Sequence, residues 1–186
     1  MSLEKLSSQI NASSDGKKQT LPPVELWNPP YCGEIDLIIK ANGDWFYNGT
    51  IFKRQSLVKL LASVLICEKN DNQGDEYFLV TPVEKIKITV EDAPFVLTQW
   101  HWLDEKKQTM QVATNLGDEF ILDAEHGLSI DETGALYVTV RRNLTARVHR
   151  NVYYQWVDLA SQVKTKQGTE LVFLSEGCQF SLGVID

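Results

Sequence analysis

Apolar and polar positions alternate along most of this chain, and the period changes at two places. Ile35 to Lys40 is a branched apolar run, which predicts a strand. Asn42-Gly43 follows, a pair that accepts positive φ at both positions and so favours a tight hairpin turn. Trp45-Phe46-Tyr47 predicts the return strand, and Asn48-Gly49 turns again into Thr50-Ile51-Phe52. The whole predicts a small meander. From Arg54 to Cys67 the period lengthens: Leu57, Leu60, Leu61, Val64 and Leu65 form one apolar face of a helix. Tyr77–Val80 and Lys85–Val90 return to strands, split by Thr81-Pro82.

Glu91-Asp92-Ala93-Pro94 breaks the pattern and predicts a boundary between units. Strands are expected again at Val96–Leu103, Thr109–Thr114, Glu119–Asp123 and Leu136–Arg141. Asn151 to Gln162 predicts a second helix, with Tyr153, Trp156, Val157 and Ala160 on one face. Leu171–Leu174 and Gln179–Val184 finish as strands. The order strand-strand-helix-strand-strand thus occurs twice, with Arg54 and Arg150 opening the helices. The reading is an α+β fold with a duplicated sheet-plus-helix unit. It divides into a flexible N-terminal tail at 1–20, an N-terminal unit at 21–93 and a C-terminal unit at 94–186. Within the tail, Leu3, Leu6 and Ile10 predict one short helical stripe and Asn11 to Thr20 a linker. Two similar units that pack together create a cleft, and ligand pockets prefer such interfaces.

Charge narrows the function. Eighteen Lys and Arg stand against 25 Asp and Glu, for a net charge of −7. That balance opposes general nucleic-acid binding and adsorption to anionic membranes. No 18-residue apolar run predicts a membrane span, and the first residues have no apolar signal core. The expected place is the cytoplasm. Cys32, Cys67 and Cys178 are odd in number and form no CxxC pair, so reduced thiols are expected rather than a disulfide framework or zinc site.

The stretch from Leu21 to Arg54 holds four prolines, three glycines and two tryptophans, and it matches no catalytic signature. LWNPPYCGEIDLIIKANGDWFYNGT, YFLVTPVEKIKITVEDAPF and YVTVRRNLTARVHRNVYYQWVDLA resemble an uncharacterised bacterial family called domain of unknown function 1285. The resemblance spans about residues 22–184. It implies a duplicated α+β core, a C-terminal unit superficially like pleckstrin-homology folds, and a site between the units for a nucleotide-like molecule in signalling. No activity is established for that family, and no catalytic residue carries over.

The candidate chemistry is recognition rather than reaction. His101, His126 and His149 lack the local spacing of metal ligands, and no metal or cofactor is expected. Cys32 has acidic neighbours, Glu34 and Asp36, that oppose a reactive thiolate. No GxSxG elbow, GxGxxG or P-loop is present, so phosphate recognition falls to arginines. Arg54, Arg141 and Arg142 are the candidates, with internal salt bridges as the competing role. Trp27, Trp45 and Tyr47 are candidate stacking residues. Trp45 and Tyr47 share a face that is either core or platform, and Trp100 and Trp102 raise the same question. Glu84 stands beside a proline-containing turn and completes the set, though such a carboxylate can equally fix the turn. The expected function is a non-catalytic module for a small anionic, nucleotide-like ligand. The alternative is a protein-interaction module that uses exposed strand edges.

Overall fold

The computed structural model describes residues 5, 7–10, 21–70, 74–166 and 168–185. The expected stripe residues Leu3 and Leu6, and the expected linker at 11–20, lie outside the described residues. The chain divides into two compact units, Met1–Asp92 and Ala93–Asp186.

The N-terminal unit is a mixed sheet with a helix. Its strands are β1 (Tyr31–Ile39), β2 (Trp45–Tyr47), β3 (Thr50–Ile51), β4 (Leu65–Glu68), β5 (Glu76–Val80) and β6 (Lys85–Val90). A single 3-10 turn, Val24–Leu26, precedes them, and helix α1 (Gln55–Ser63) lies between β3 and β4. The sheet order is β3-β2-β1-β6-β5-β4. Two antiparallel meanders are therefore joined by one parallel pair, β1 with β6. The parallel pair is possible because α1 crosses between the meanders. Leu37, Ile39, Trp45, Leu61, Leu65, Leu79 and Ile86 are buried in the core.

The C-terminal unit repeats this sheet. Its first strands are β7 (Phe95–Trp102), β8 (Met110–Thr114), β9 (Glu119–Ile121), β10 (Leu128–Ile130), β11 (Leu136–Arg141) and β12 (Leu144–Val148). The order β10-β11-β12-β7-β8-β9 is the N-terminal order read from the other edge. Again two meanders meet at one parallel pair, β12 with β7. The duplication is thus carried by the six-stranded sheets. The helices sit at different points of the repeat, since helix α2 (Arg150–Leu159) follows the sixth strand instead of crossing between the third and fourth. A three-stranded sheet of β13 (Ser161–Thr165), β14 (Gly168–Ser175) and β15 (Cys178–Ile185) then completes the unit. Trp156 of α2 is fully buried, and its ring lies 5.2 Å from Phe173 of β14, which stacks 5.5 Å from Phe180 of β15.

Several elements differ from expectation for physical reasons. Helix α1 ends at Ser63, and Leu65-Ile66-Cys67 is a strand. The positions i+7 and i+8 fitted the helical stripe, but a continuous apolar run bounded by a cap also suits a buried strand. The buried face of α1 is Val58, Leu61 and Ala62, while Leu57 and Leu60 are only half-buried. The hairpin between β11 and β12 turns on Arg142 and Asn143, at φ of 49° and 61°. That is the tight-turn geometry usually given to Asn-Gly, and an Arg in it hides the turn from sequence reading. Ser161 and Gln162, the last two residues of the expected helix, instead open the exposed strand β13.

Candidate functional site

The expected site residues fall into three groups. Trp45 is 2 % exposed and belongs to the core, so the face it occupies is no stacking platform. Tyr47 beside it is half-buried, as is Trp27 after the 3-10 turn. Arg141 has the internal role. Its Nη1 donates to Asp118 Oδ1, and its guanidinium lies 4.8 Å from the centre of the Phe95 ring. Burial pushes this guanidinium below its ordinary pKa, against the opposing pull of Asp118. Arg142 occupies the hairpin turn and is half-buried.

Glu84 is buried at the turn between β5 and β6. Its N–H donates to Thr81 Oγ1 at 3.1 Å, and its carbonyl accepts from the Thr81 N–H at 2.9 Å. Its carboxylate receives Lys5 Nζ at 3.0 Å. Arg54 is exposed at the start of α1, where it lines a hollow of about 230 Å³ with Ser7, Ser56, Leu57 and Leu60. Within the N-terminal unit these residues stand apart, Trp45 in the core, Glu84 at the β5–β6 turn and Arg54 at the start of α1.

A different constellation forms in the C-terminal unit. A hollow of about 300 Å³ lies between the β10–β11 turn, the end of β12 and the first turns of α2. Arg147, Arg150, Tyr153 and Tyr154 contribute its chemistry, and Thr133, Gly134, Ala135, Leu136 and Val148 its walls. No Asp or Glu is among the described residues that line it.

Local structure explains each placement. Leu144, Ala146 and Val148 of β12 are buried, so the period of two turns Arg147 to the other face. His149 caps α2, its Nδ1 accepting from the Asn151 N–H at 3.2 Å. Arg150 then stands in the first turn, with Tyr153 and Tyr154 three and four residues on and so on the same side of the helix. Their rings are 5.8 Å apart and inclined by 53°. Tyr154 is 55 % exposed. The facing turn is held by Asp131, whose Oδ1 accepts from the Thr133 N–H at 2.8 Å, the Thr133 hydroxyl at 2.7 Å and the Ala135 N–H at 2.9 Å. Gly134 sits at φ 82°, a conformation that favours glycine and closes the turn. Those bonds, the Thr133 hydroxyl first, hold the Asp131 carboxyl below its ordinary pKa.

Two guanidinium forks beside a helix N-terminus suit an anion. Two phenol rings beside them offer faces for a flat partner. Sequence reading singled out Arg141 and Arg142 in the run RRNLTARVHRNVYY and passed over Arg147 and the tyrosines. The signal was present: alternation from Leu144 to Val148, then an i, i+3, i+4 set from Arg150.

Several of the other candidate residues have structural partners. His126 Nδ1 lies 2.9 Å from Asp123 Oδ1, and its ring stacks 4.5 Å from Phe120. Trp100 donates from Nε1 to Gln155 Oε1 at 2.7 Å, and Trp102 packs edge-on to it at 5.9 Å. Burial and then Asp75 push the Cys67 thiol up. The exposed Cys32 thiol donates to the Pro30 carbonyl at 3.3 Å. No three His, Cys, Asp or Glu side chains cluster as a metal site among the described residues.

Comparison with known families places the chain. The model described as domain of unknown function (DUF1285), N-terminal domain, matches residues 22–93, and that of the DUF1285 C-terminal domain matches residues 94–182. The chain belongs to the DUF1285 family. A crystal structure of a DUF1285 family protein from Silicibacter pomeroyi DSS-3 is similar over 99% of this chain and 96% of that one, at 32% identity and a TM-score of 0.80. A DUF1285 family protein from Shewanella baltica OS155 is similar over 66% of this chain and 90% of its own, at 31% identity and a TM-score of 0.53. No curated protein matches. The resemblance read from WNPP and EDAPF is therefore a family membership, and the family's two models divide the chain beside the Asp92–Ala93 break.

Proposed function

We propose that this DUF1285 protein is a non-catalytic binding module for a small anion carrying a flat ring, a nucleotide-like ligand, held in the hollow of the C-terminal unit. The observation that carries the reading is the pairing of Arg147 and Arg150 with Tyr153 and Tyr154 around one hollow, with no carboxylate among its described lining residues. Against a net charge of −7, a locally basic pocket needs a reason. Its volume of about 300 Å³ lies at the lower end for small-molecule sites. The arginines would grip a phosphate in bidentate fashion and a tyrosine face would carry the ring.

The reading extends to signalling in the cytoplasm, since a module that binds an anion without changing it reports that anion's level. Three cysteines outside any disulfide suit a reducing compartment. A panel of nucleotides and dinucleotides, scored by melting temperature, tests the proposal. At a hundredfold excess over Kd, a true ligand stabilises by about 2.7 kcal/mol. No shift from any member would contradict it.

One observation favours an interaction module instead. All five residues of β13 are exposed, and β13 is the edge of its sheet. Lys164 on that strand is, however, the kind of charge that blunts an edge against pairing. Loss of a partner on Val163→Pro, with anion binding intact, would favour this second reading.

A further inference from the structure

The N-terminal unit carries an arrangement that the ligand proposal does not use. Residues 5 and 7–10 are helical and lie against the β5–β6 turn and α1. Ile10 is fully buried. Gln9 Oε1 accepts from the Thr81 hydroxyl at 3.1 Å, and Lys5 Nζ donates to Glu84 Oε1 at 3.0 Å. Ser7 lines the hollow that Arg54, Ser56, Leu57 and Leu60 form at the start of α1.

Glu84 is the telling residue. It is 8 % exposed, and its Oε2 is buried with no hydrogen-bond partner among the described residues. A buried carboxylate with one empty oxygen is costly, and lysine, a point donor, matches only the other. The Lys5 side chain itself is 61 % exposed. Ile10 is the only fully buried side chain among the described residues of the segment. So the segment sits in a slot built for more than it supplies, and a contact of this kind opens locally before the fold does.

We propose that this slot, floored by Glu84 and Thr81 and flanked by α1, is a docking site for a short cationic helix of a partner protein, and that the described residues 5 and 7–10 fill it as an exchangeable plug. The partner's chemistry follows from the slot. It presents an arginine, whose fork reaches both oxygens of Glu84, and an aliphatic residue five positions later in the place of Ile10. Covalent attachment holds the chain's own segment at an effective concentration on the order of millimolar, so an outside helix needs this better match to displace it.

The test uses the full chain and a fluorescent synthetic peptide of residues 1–12 with Lys5→Arg. Ile10→Asp removes the plug's anchor. The peptide should bind this variant roughly tenfold or more tighter than the unaltered chain, because the tethered competitor is gone. A peptide retaining Lys5 should bind about tenfold more weakly than the arginine version. Adding Glu84→Gln to the Ile10→Asp chain should remove the arginine preference. Equal or absent binding to both folded chains would overturn the proposal. If Ile10→Asp unfolds the protein, hydrogen exchange on the unaltered chain decides. Amides 7–10 exchanging well ahead of β5 and β6 support the plug, and equal protection makes the segment a fixed part of the core.

Discussion

Arg141 looked like a ligand group and is placed as an internal one, and Arg141→Met separates the two roles. The methionine keeps an unbranched stem beside Phe95 but removes the charge that meets Asp118. The side chains of the pair are 13 % and 24 % exposed. Removing one partner of a fully buried pair costs about 3–5 kcal/mol, whereas exposed pairs are worth about 0–1. The partial exposure and the remaining 3.1 Å bond from the Thr114 hydroxyl to Asp118 place the expected loss between these limits, at about 2–3 kcal/mol. For a unit the length of Ala93–Asp186, that lowers the midpoint by roughly 10–20 °C. Thermal melts followed by circular dichroism measure it. Arg141→Met with Asp118→Asn should recover much of the loss, because no unpaired charge remains. Any anion that stabilises the unaltered protein should still stabilise the folded Arg141→Met chain. A midpoint within about 2 °C of the unaltered one, with anion binding abolished, would refute the reasoning.

Leu61 is fully buried on α1, so Leu61→Ala should cost about 2–5 kcal/mol in urea unfolding, and Leu61→Asp should unfold the N-terminal unit. Asp131 has a depressed carboxyl pKa, so its contribution is complete above the ordinary value of about 3.9 and is lost as pH falls through the lower folded value. Asp131→Asn keeps the acceptor oxygen and removes the titration, so stability should fall less steeply with acid below about pH 4. Without reductant, a thiol reagent should modify all three cysteines in denatured protein; in native protein Cys32 should react first and buried Cys67 last.

What the sequence disclosed, and what it hid, follows from where the information lies. Asn42-Gly43 and Asn48-Gly49 announce the first meander because the turn chemistry is local. The two units were visible because Glu91-Asp92-Ala93-Pro94 interrupts a regular pattern. The meander-to-meander pairing of β1 with β6 and of β12 with β7 joins residues far apart in the chain, and no local pattern reports it. The turn at Arg142-Asn143 was hidden because an arginine occupies a conformation usually given to Asn or Gly. Tyr153 was read with Trp156 as one apolar face, yet the helix buries Val152 and Trp156 and leaves Tyr153 at the hollow. A phenol serves either surface, and only the packed sheet decides between them. Arg54 and Arg150 were matched as equivalent helix starts. Both do line hollows, though the helices occupy different points of the repeat.

The central claim is that the hollow of Arg147, Arg150, Tyr153 and Tyr154 binds a small ring-bearing anion. Isothermal titration of the most stabilising nucleotide tests it directly, on the unaltered chain and on Arg147→Ala with Arg150→Ala. The account predicts one site per chain, with affinity reduced by about two to four orders of magnitude in the double variant, at about 1.5–3 kcal/mol for each charged hydrogen-bond partner lost. Tyr154→Ala should weaken binding by roughly tenfold through lost stacking. Unchanged affinity in a folded double variant would place the ligand elsewhere and contradict the account.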